Sequence, residues 1–374
     1  MKDARIPELL TISEAAERMH VSRQTIYTWI REGKILPVLT PGGRRRISED
    51  QLIIPGLAAA ESVSVLFPIR SISELDPARI EQMGTREKYW FSRTDKHWYW
   101  ASEGDEFLFK AGREGTGENW AEKVVSELCT LLELPHAEYD LAIYRRIKGV
   151  ITPKFVPYGA CLRHGNEILP NYISNYQKSK RYHQTQHTVK AVFDTLSDKR
   201  IQLPIGWSNQ SALNSATNVF TGYLMLDVWI ANTDRHHENW GVIDIPERKS
   251  SYLAPTFDHA SSLGRNVTDN ERKERLTTRD TGRNMNSYVQ KAKSAFYLNQ
   301  YDRRLLSTLG AFQEAASKNP DAAKYWLSKL EQVPTNDVKL IVDKVPNGEM
   351  SHITKEFTLT ILELNRQRLL ANKV

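Results

Sequence analysis

The sequence predicts an α+β chain in two parts. A small winged helix-turn-helix comes first, and a larger two-lobed body follows, with a small β-rich lobe and a mainly helical lobe. Three observations carry this. Two short helical patterns precede a Gly-Gly turn with three arginines, Pro41-Gly42-Gly43-Arg44-Arg45-Arg46. Residues 89–110 hold three aromatic-rich runs bounded by polar turns. Beyond residue 215 apolar helical patterns dominate, broken by one dense polar loop, Asp234-Arg235-His236-His237-Glu238-Asn239.

The bulk numbers set the frame. At 374 residues the chain is long enough for two or three domains. It is 40 % hydrophobic and 26 % charged, ordinary for a globular protein. A net charge of +6 and a pI of about 9.1 favour an anionic partner. The two cysteines, Cys129 and Cys161, both stand in apolar sequence surroundings and argue against a disulfide framework or a cysteine-based zinc site. No apolar run approaches the roughly 18 residues of a membrane span. The opening Met1-Lys2-Asp3-Ala4-Arg5 lacks a signal-peptide core. A soluble cytoplasmic protein with no membrane partner is expected.

In the head, expected over residues 1–55, Thr11-Ile12-Ser13-Glu14 reads as a capping box that starts one helix. Ser22 caps a second, with Ile26, Trp29 and Ile30 on its buried face and Gly33 as its stop. The second helix presents Arg23, Gln24, Thr25, Tyr27, Thr28 and Arg31, residue types that contact base edges and phosphates. Arg44, Arg45 and Arg46 form a wing aimed at backbone phosphate. Residues 18–46 hold seven basic side chains and one acid, +6 within 29 residues. That focus is what a duplex requires. A small helical module that docks a protein is the blander alternative. The stretch Leu9 to Leu52 resembles the winged helix-turn-helix of the MerR and excisionase type, which implies binding to double-stranded DNA.

Residues 56–80 read as a linker, with a helical turn at Asp76-Pro77-Ala78-Arg79-Ile80. The small lobe is expected over 81–158. Its strands are Tyr89-Trp90-Phe91, His97-Trp98-Tyr99-Trp100 and Phe107-Leu108-Phe109-Lys110. Gly84 and Thr85 stand in a turn before the first, and Lys110 ends the third. This order suits a lobe that covers ATP phosphates, with Lys110 on the α- and β-phosphates. Alone, neither Gly84 nor Lys110 would mean much, since a lysine at a strand end is usually only solvated. A helix over 119–133 offers Glu122 or Glu127 as the ion-pair partner of Lys110. Glu122 is preferred for its place near the helix start, which leaves Glu127 as surface charge. A strand pair over 139–156 leads to Val156-Pro157-Tyr158-Gly159, a hinge whose backbone can receive adenine.

The large lobe is expected over 159–374. The histidines of residues 160–216, at 164, 183 and 187, lack metal-binding spacing. An apolar helix over 215–231 delivers Asp234, and two short strands lead on to Phe257-Asp258. An Asp, an Asn five residues later and a second Asp past a hairpin are the parts of a phosphoryl-transfer site. Asp234 can accept the hydroxyl proton, and Asn239 and Asp258 can hold Mg²⁺. His236 is counted with Asp234 and Asn239 as a catalytic-loop residue. The bland reading, a charged surface loop, fits each residue but not the whole set. Residues 265–283 are dense in charge and read as a mobile surface loop. Amphipathic helices close the chain from Tyr301, the last over about 353–371.

Gly84-Thr85-Arg86-Glu87-Lys88, Trp120-Ala121-Glu122, Leu134-Pro135, Asp234-Arg235-His236 with Asn239, and Phe257-Asp258 with Leu263-Gly264 resemble the HipA-like serine/threonine kinases. The resemblance spans about residues 80 to 340. It implies a kinase with Asp234 as base, Asn239 and Asp258 on Mg²⁺, Lys110 on ATP, and a protein substrate with a Ser or Thr acceptor, the chain itself included. A toxin–antitoxin or stress regulator is the implied setting. Members of that family usually keep their DNA-binding partner on a separate chain, so the fused head here departs from the pattern. Two other functions stay open: a DNA-binding regulator whose kinase-like body only senses nucleotide, and a kinase for a lipid or small molecule. A homodimer is compatible with the sequence and is not required by it.

Overall fold

The computed structural model describes residues 9–19, 26–27, 29–30, 35–39, 45–48, 66–81, 86–92, 106–207 and 213–371. The chain divides into two compact units, Met1–Val65 with Ser92–Glu106, and Leu66–Phe91 with Phe107–Val374.

In the first unit the capping box forms as the sequence dictates. Thr11 N donates to Glu14 Oε2 at 2.6 Å, and Glu14 N donates to Thr11 Oγ1 at 3.1 Å. These bonds satisfy backbone donors at the start of the helix Ile12–Arg18. Strands β1 (Leu9–Leu10), β2 (Val38–Leu39) and β3 (Arg45–Ser48) make an antiparallel sheet in the order β1-β3-β2. The β2–β3 pairing, Val38 opposite Arg46 and Leu39 opposite Arg45, is the stem of the expected wing. Leu10, Ala15, Ala16, Ile26, Trp29, Ile30, Ile35 and Ile47 fill its core. The helical face read from Ile26, Trp29 and Ile30 is thus the buried one. Ser22, Gly33, Arg23, Gln24, Thr25, Thr28, Arg31 and Arg44 lie outside the described residues.

The second unit opens with a six-stranded sheet in the order β4-β8-β9-β7-β6-β5. Its strands are β4 (Ile69–Ser71), β5 (Arg79–Ile80), β6 (Lys88–Ser92), β7 (Glu106–Ala111), β8 (Asp140–Tyr144) and β9 (Ile147–Pro153). The linker expected over 56–80 is therefore shorter. Phe67 N already donates to Lys344 O at 2.7 Å, and β4 pairs in parallel with β8. The helical turn expected near residue 79 is instead strand β5, which pairs with β6. The expected strand at 97–100 lies outside the described residues. Phe91, Phe107, Phe109 and Tyr144 pack together, Phe91 stacked on Phe107 and Tyr144 edge-on to Phe91, so aromatic residues of β6 and β7 share one buried cluster. The helix Glu118–Leu132 packs against this sheet and is buried nearly all round.

The rest is built around the helix Ala216–Trp229, which is apolar on every face and correspondingly buried. The helices Thr308–Lys318, Pro320–Gln332 and His352–Ala371 surround it. Gly222 permits one of these contacts, because a Cβ there would come within 2.5 Å of the Trp326 ring. A second sheet, β10 (Cys161–His164), β12 (Gly241–Ile245), β13 (Ser250–Leu253) and β11 (Ile201–Gln202), lies beside the polar loop. Two expectations change here. Residues 265–283 contain the helix Asp269–Thr277, capped by Thr268 and pinned by buried Arg272 to Asp269 and Thr354. Cys161, expected in apolar surroundings, is exposed at the sheet edge, whereas Cys129 is buried. Among the described residues no helix is long and apolar enough to cross a membrane.

Candidate active site

The site forms where β7, the helix Glu118–Leu132 and two loops of the helical lobe converge. Strand β7 pairs with β9, Lys110 opposite Val150 and Ala111 opposite Gly149. A Cβ on Gly149 would sit 2.4 Å from the Lys110 carbonyl oxygen, so glycine is what lets β9 approach the lysine. Lys110 Nζ donates to Glu122 Oε1 at 2.8 Å and also bonds Asp258 Oδ1. The other Glu122 oxygen accepts the backbone N–H of His259 at 2.8 Å. One buried carboxylate thus gathers the strand lysine and the loop that carries Asp258.

Glu127 does something else. It lies 5 % exposed and takes Lys123 Nζ at 2.6 Å, with Asp140 on the same ammonium at 2.9 Å. The choice of Glu122 over Glu127 agrees with this geometry, but Glu127 is a core ion pair rather than surface charge.

Asp258 is held with φ +57°, a left-handed conformation that costs a non-glycine residue about 1–2 kcal/mol. Burial opposes its charge, yet the Lys110 and Lys88 ammonium groups outweigh burial and hold its carboxyl below the usual carboxylate range. Burial likewise opposes the charge on Lys110, and Asp258 and Glu122 outweigh it, so the lysine stays protonated.

The loop after Ala216–Trp229 is braced from beneath. Arg235, 1 % exposed, places Nε and Nη2 on the two oxygens of Asp227 at 2.8 and 2.7 Å. Its Nη1 reaches Asn239 O and Thr256 Oγ1. Asn239 Nδ2 donates to Asp234 O at 2.7 Å, which commits the amide nitrogen and leaves the amide oxygen for a ligand. Asp234 itself is 29 % exposed at its side chain. Burial, and next the charge of Asp258, raise its pKa to about 6. His236 Nδ1 accepts the Glu238 N–H, so a neutral ring carries its proton on Nε2, 3.7 Å from Asp234 Oδ1. Burial and the charge of Arg181 lower its pKa to about 4 and keep the ring neutral.

A network absent from the sequence reading reaches Asp234 from the other side. Ser261 Oγ donates to Asp234 Oδ2 at 3.3 Å, and Arg265 Nη2 donates to Ser261 Oγ at 2.9 Å. Arg265 Nη1 bonds Glu118, which also accepts Arg86 Nη2 at 3.0 Å. Asp227 and Arg235 were missed as well. Their signal was a lone carboxylate in an otherwise apolar helix, eight residues before an arginine. Ser261 and Arg265 left none, because only the fold brings them to Asp234.

The remaining expected residues divide. Val156 is half-buried in the connection between β9 and β10, while the Tyr158 side chain is fully exposed. The neighbouring Phe155 ring stacks on Phe257 at 5.9 Å, beside Asp258. Gly84 and Thr85 lie outside the described residues. In the head only Tyr27 and Arg46 are described with their side chains, both half-buried, and Arg45 with its backbone in β3.

A family model described as a helix-turn-helix domain matches residues 9–53. No curated protein sequence matches the chain. Among solved structures, the chain is similar to the Helicobacter pylori proinflammatory kinase CtkA, with a TM-score of 0.63 and 18 % identity over 82 % of this chain and 96 % of that one. The larger unit has a kinase fold. A weaker likeness, TM-score 0.46 and 12 % identity over 96 % of this chain and 84 % of the other, is to the Shewanella oneidensis MR-1 toxin–antitoxin complex of HipA, HipB and operator DNA. A helix-turn-helix head thus precedes a kinase-like body, as the α+β reading expected.

The donor set suits a hard divalent cation and a nucleotide. Asp258 and the Asn239 amide oxygen are oxygen ligands of the kind Mg²⁺ prefers. Among the described residues no three His, Cys, Asp or Glu side chains come together as a closed metal cage. Lys110, kept charged between two carboxylates, is the cation of this set.

Proposed function

We propose that this chain is an ATP- and Mg²⁺-dependent kinase that transfers phosphate to a Ser or Thr hydroxyl, in another protein or in itself, and that its head binds double-stranded DNA. The observation that carries this is the meeting of Lys110, Glu122 and Asp258, with Asp234 on the adjoining braced loop. Bound Mg²⁺ supplies charge neutralisation on the β- and γ-phosphates. Asn239 and Asp258 are the residues that would hold it. Lys110 binds the α- and β-phosphates, Glu122 positions Lys110, and the backbone around Val156 and Tyr158 receives adenine. Asp234 accepts the proton of the attacking hydroxyl, and with a pKa near 6 it is ionised at neutral pH. Ser261 Oγ, which donates to Asp234 Oδ2, orients that carboxylate.

Phosphate transfer from labelled ATP with Mg²⁺ tests this. Asp234→Asn is expected to keep nucleotide binding and lose about 10²–10⁴-fold in rate, since an amide cannot take the proton. Wild-type transfer by that variant would remove Asp234 from its role. An intact chain that neither binds nor consumes ATP would overturn the kinase reading.

A further inference from the structure

We propose that the phosphate acceptor is an acidic segment, a Ser- or Thr-bearing peptide with Asp or Glu beside the hydroxyl, received by the basic loop of residues 177–181. This deepens the kinase reading and rests on it. Between Glu167 and Asp194 the sequence contains no acidic residue and four basic ones, Lys178, Lys180, Arg181 and Lys190, a local charge of +4.

The fold ties the loop that carries three of these four to the catalytic loop. Arg181 Nε donates to Glu238 Oε2 at 2.7 Å, four residues from Asp234. The Tyr182 ring meets His236 edge-on at 5.8 Å. Asn166 joins the two loops, its N–H on His237 O at 3.0 Å and its Nδ2 on Lys178 O at 3.3 Å. Gln184 Nε2 closes the turn on Gln177 O at 3.0 Å. This loop is built onto the site and does not hang beside it.

The charge balance then decides what it attracts. Glu238 neutralises Arg181, and Glu167 is committed to the His164 backbone N–H. Lys178 and Lys180 are exposed, and among the described residues no carboxylate lies within ion-pairing distance of either. Across the site Arg265 stands behind Ser261. The carboxylates of the adjoining site, Asp234 and Asp258, are those the reaction uses. A basic acceptor would meet two unpaired ammonium groups, and an acidic one would pair with them. Exposed ion pairs are individually weak, so they act on acceptor capture more than on the chemical step.

The test uses the full chain and three peptides that share one serine, flanked by Asp/Glu, by Asn/Gln or by Lys/Arg. Initial rates with Mg²⁺-ATP are expected to give the lowest KM for the acidic peptide. In Lys178→Glu/Lys180→Glu, the acidic-to-neutral ratio of kcat/KM is expected to fall at least about tenfold. Equal KM values, or a ratio unchanged in the double variant, would overturn the proposal. Anisotropy of the labelled acidic peptide reads the loop without turnover, and the double variant is expected to lose affinity there too. If no peptide is phosphorylated and ATP is not consumed, the kinase reading fails, and anisotropy alone decides the loop. The head arginines are common to both proteins, so they cancel in this comparison. Equal competition by an oligonucleotide of matched charge would mark a general polyanion surface and overturn the peptide assignment.

Discussion

Two lysine–carboxylate clusters lie against the helix Glu118–Leu132, and residue types alone do not separate them. In one, Lys110 from β7 meets Glu122 and Asp258, three residues from three separate elements, with the Asp258 side chain still 32 % exposed. In the other, Lys123 meets Glu127 one turn on and Asp140 at the start of β8, all three side chains no more than 6 % exposed. Lys123 also lies 4.8 Å from the centre of the Phe67 ring, and Arg70 reaches Asp140 from β4 at 3.4 Å. The second cluster is closed, so its charges serve each other. The first is open on the Asp258 side, so its charges are available to a ligand. The difference lies in which elements supply the partners.

Breaking the closed cluster should have the largest effect on folding. Lys123→Met removes the cation that Glu127 and Asp140 share and leaves Arg70 on Asp140, and breaking a buried ion pair costs about 3–5 kcal/mol. Urea unfolding should show that loss, with nucleotide affinity of the folded fraction retained. A variant as stable as wild type would mean that water or rearrangement solvates Glu127 and Asp140.

Breaking the open cluster should do the reverse. In Lys110→Ala, Glu122 keeps the His259 N–H, and Asp258 can turn to solvent. Stability should fall less than in Lys123→Met, because Asp258 is 32 % exposed and only Glu122 is left buried without its cation. Phosphoryl transfer should drop by about 10²–10³-fold, the usual cost of losing one preorganised donor. If Lys110→Ala unfolds at much lower urea with unchanged activity per folded molecule, the two clusters have been assigned the wrong way round.

Part of the fold and of the catalytic loop was legible in the sequence, and the reason is local. Capping at Thr11, the buried face of Ile26, Trp29 and Ile30, and the spacing of Asp234 to Asn239 are each set within a few residues. Glu122, preferred for its place near the helix start, does pair with Lys110, while Glu127 is held in the core by Lys123. What escaped was non-local. Lys123 joins Asp140 across 17 positions, Arg265 joins Glu118 across 147, and strand β4 depends on pairing with a β8 about seventy residues away. Periodicity carries no information at those separations. Charge density misled at 269–277 for a related reason: Asp269 and Arg272 satisfy each other, so polar composition did not mean an absence of structure.

The smallest expected effect concerns a buried group held neutral, where both clusters hold charge. His187 is 2 % exposed, with Nδ1 on Ala295 O at 3.0 Å and Nε2 accepting Trp240 Nε1–H at 3.2 Å. The acceptor role of Nε2 places the proton on Nδ1, and a second proton would break the Trp240 bond. Burial pushes the pKa of this ring down to about 3. In the unfolded chain a histidine titrates near about 6.5. The unfolded state therefore binds a proton that the folded state refuses. Its contribution is intact above pH 6.5 and falls as pH drops toward 3, at about 1.4 kcal/mol per pH unit. Between pH 7.5 and 5 that is a loss of about 2 kcal/mol. His187→Gln should be less stable at pH 7.5, and its urea midpoint should fall less on acidification than that of wild type. Lys110 and Asp258 predict no such slope in this window, because Lys110 stays protonated and Asp258 stays ionised throughout it. Parallel pH profiles for wild type and His187→Gln would show that the acid sensitivity of this unit arises elsewhere, with buried His259 the next residue to replace.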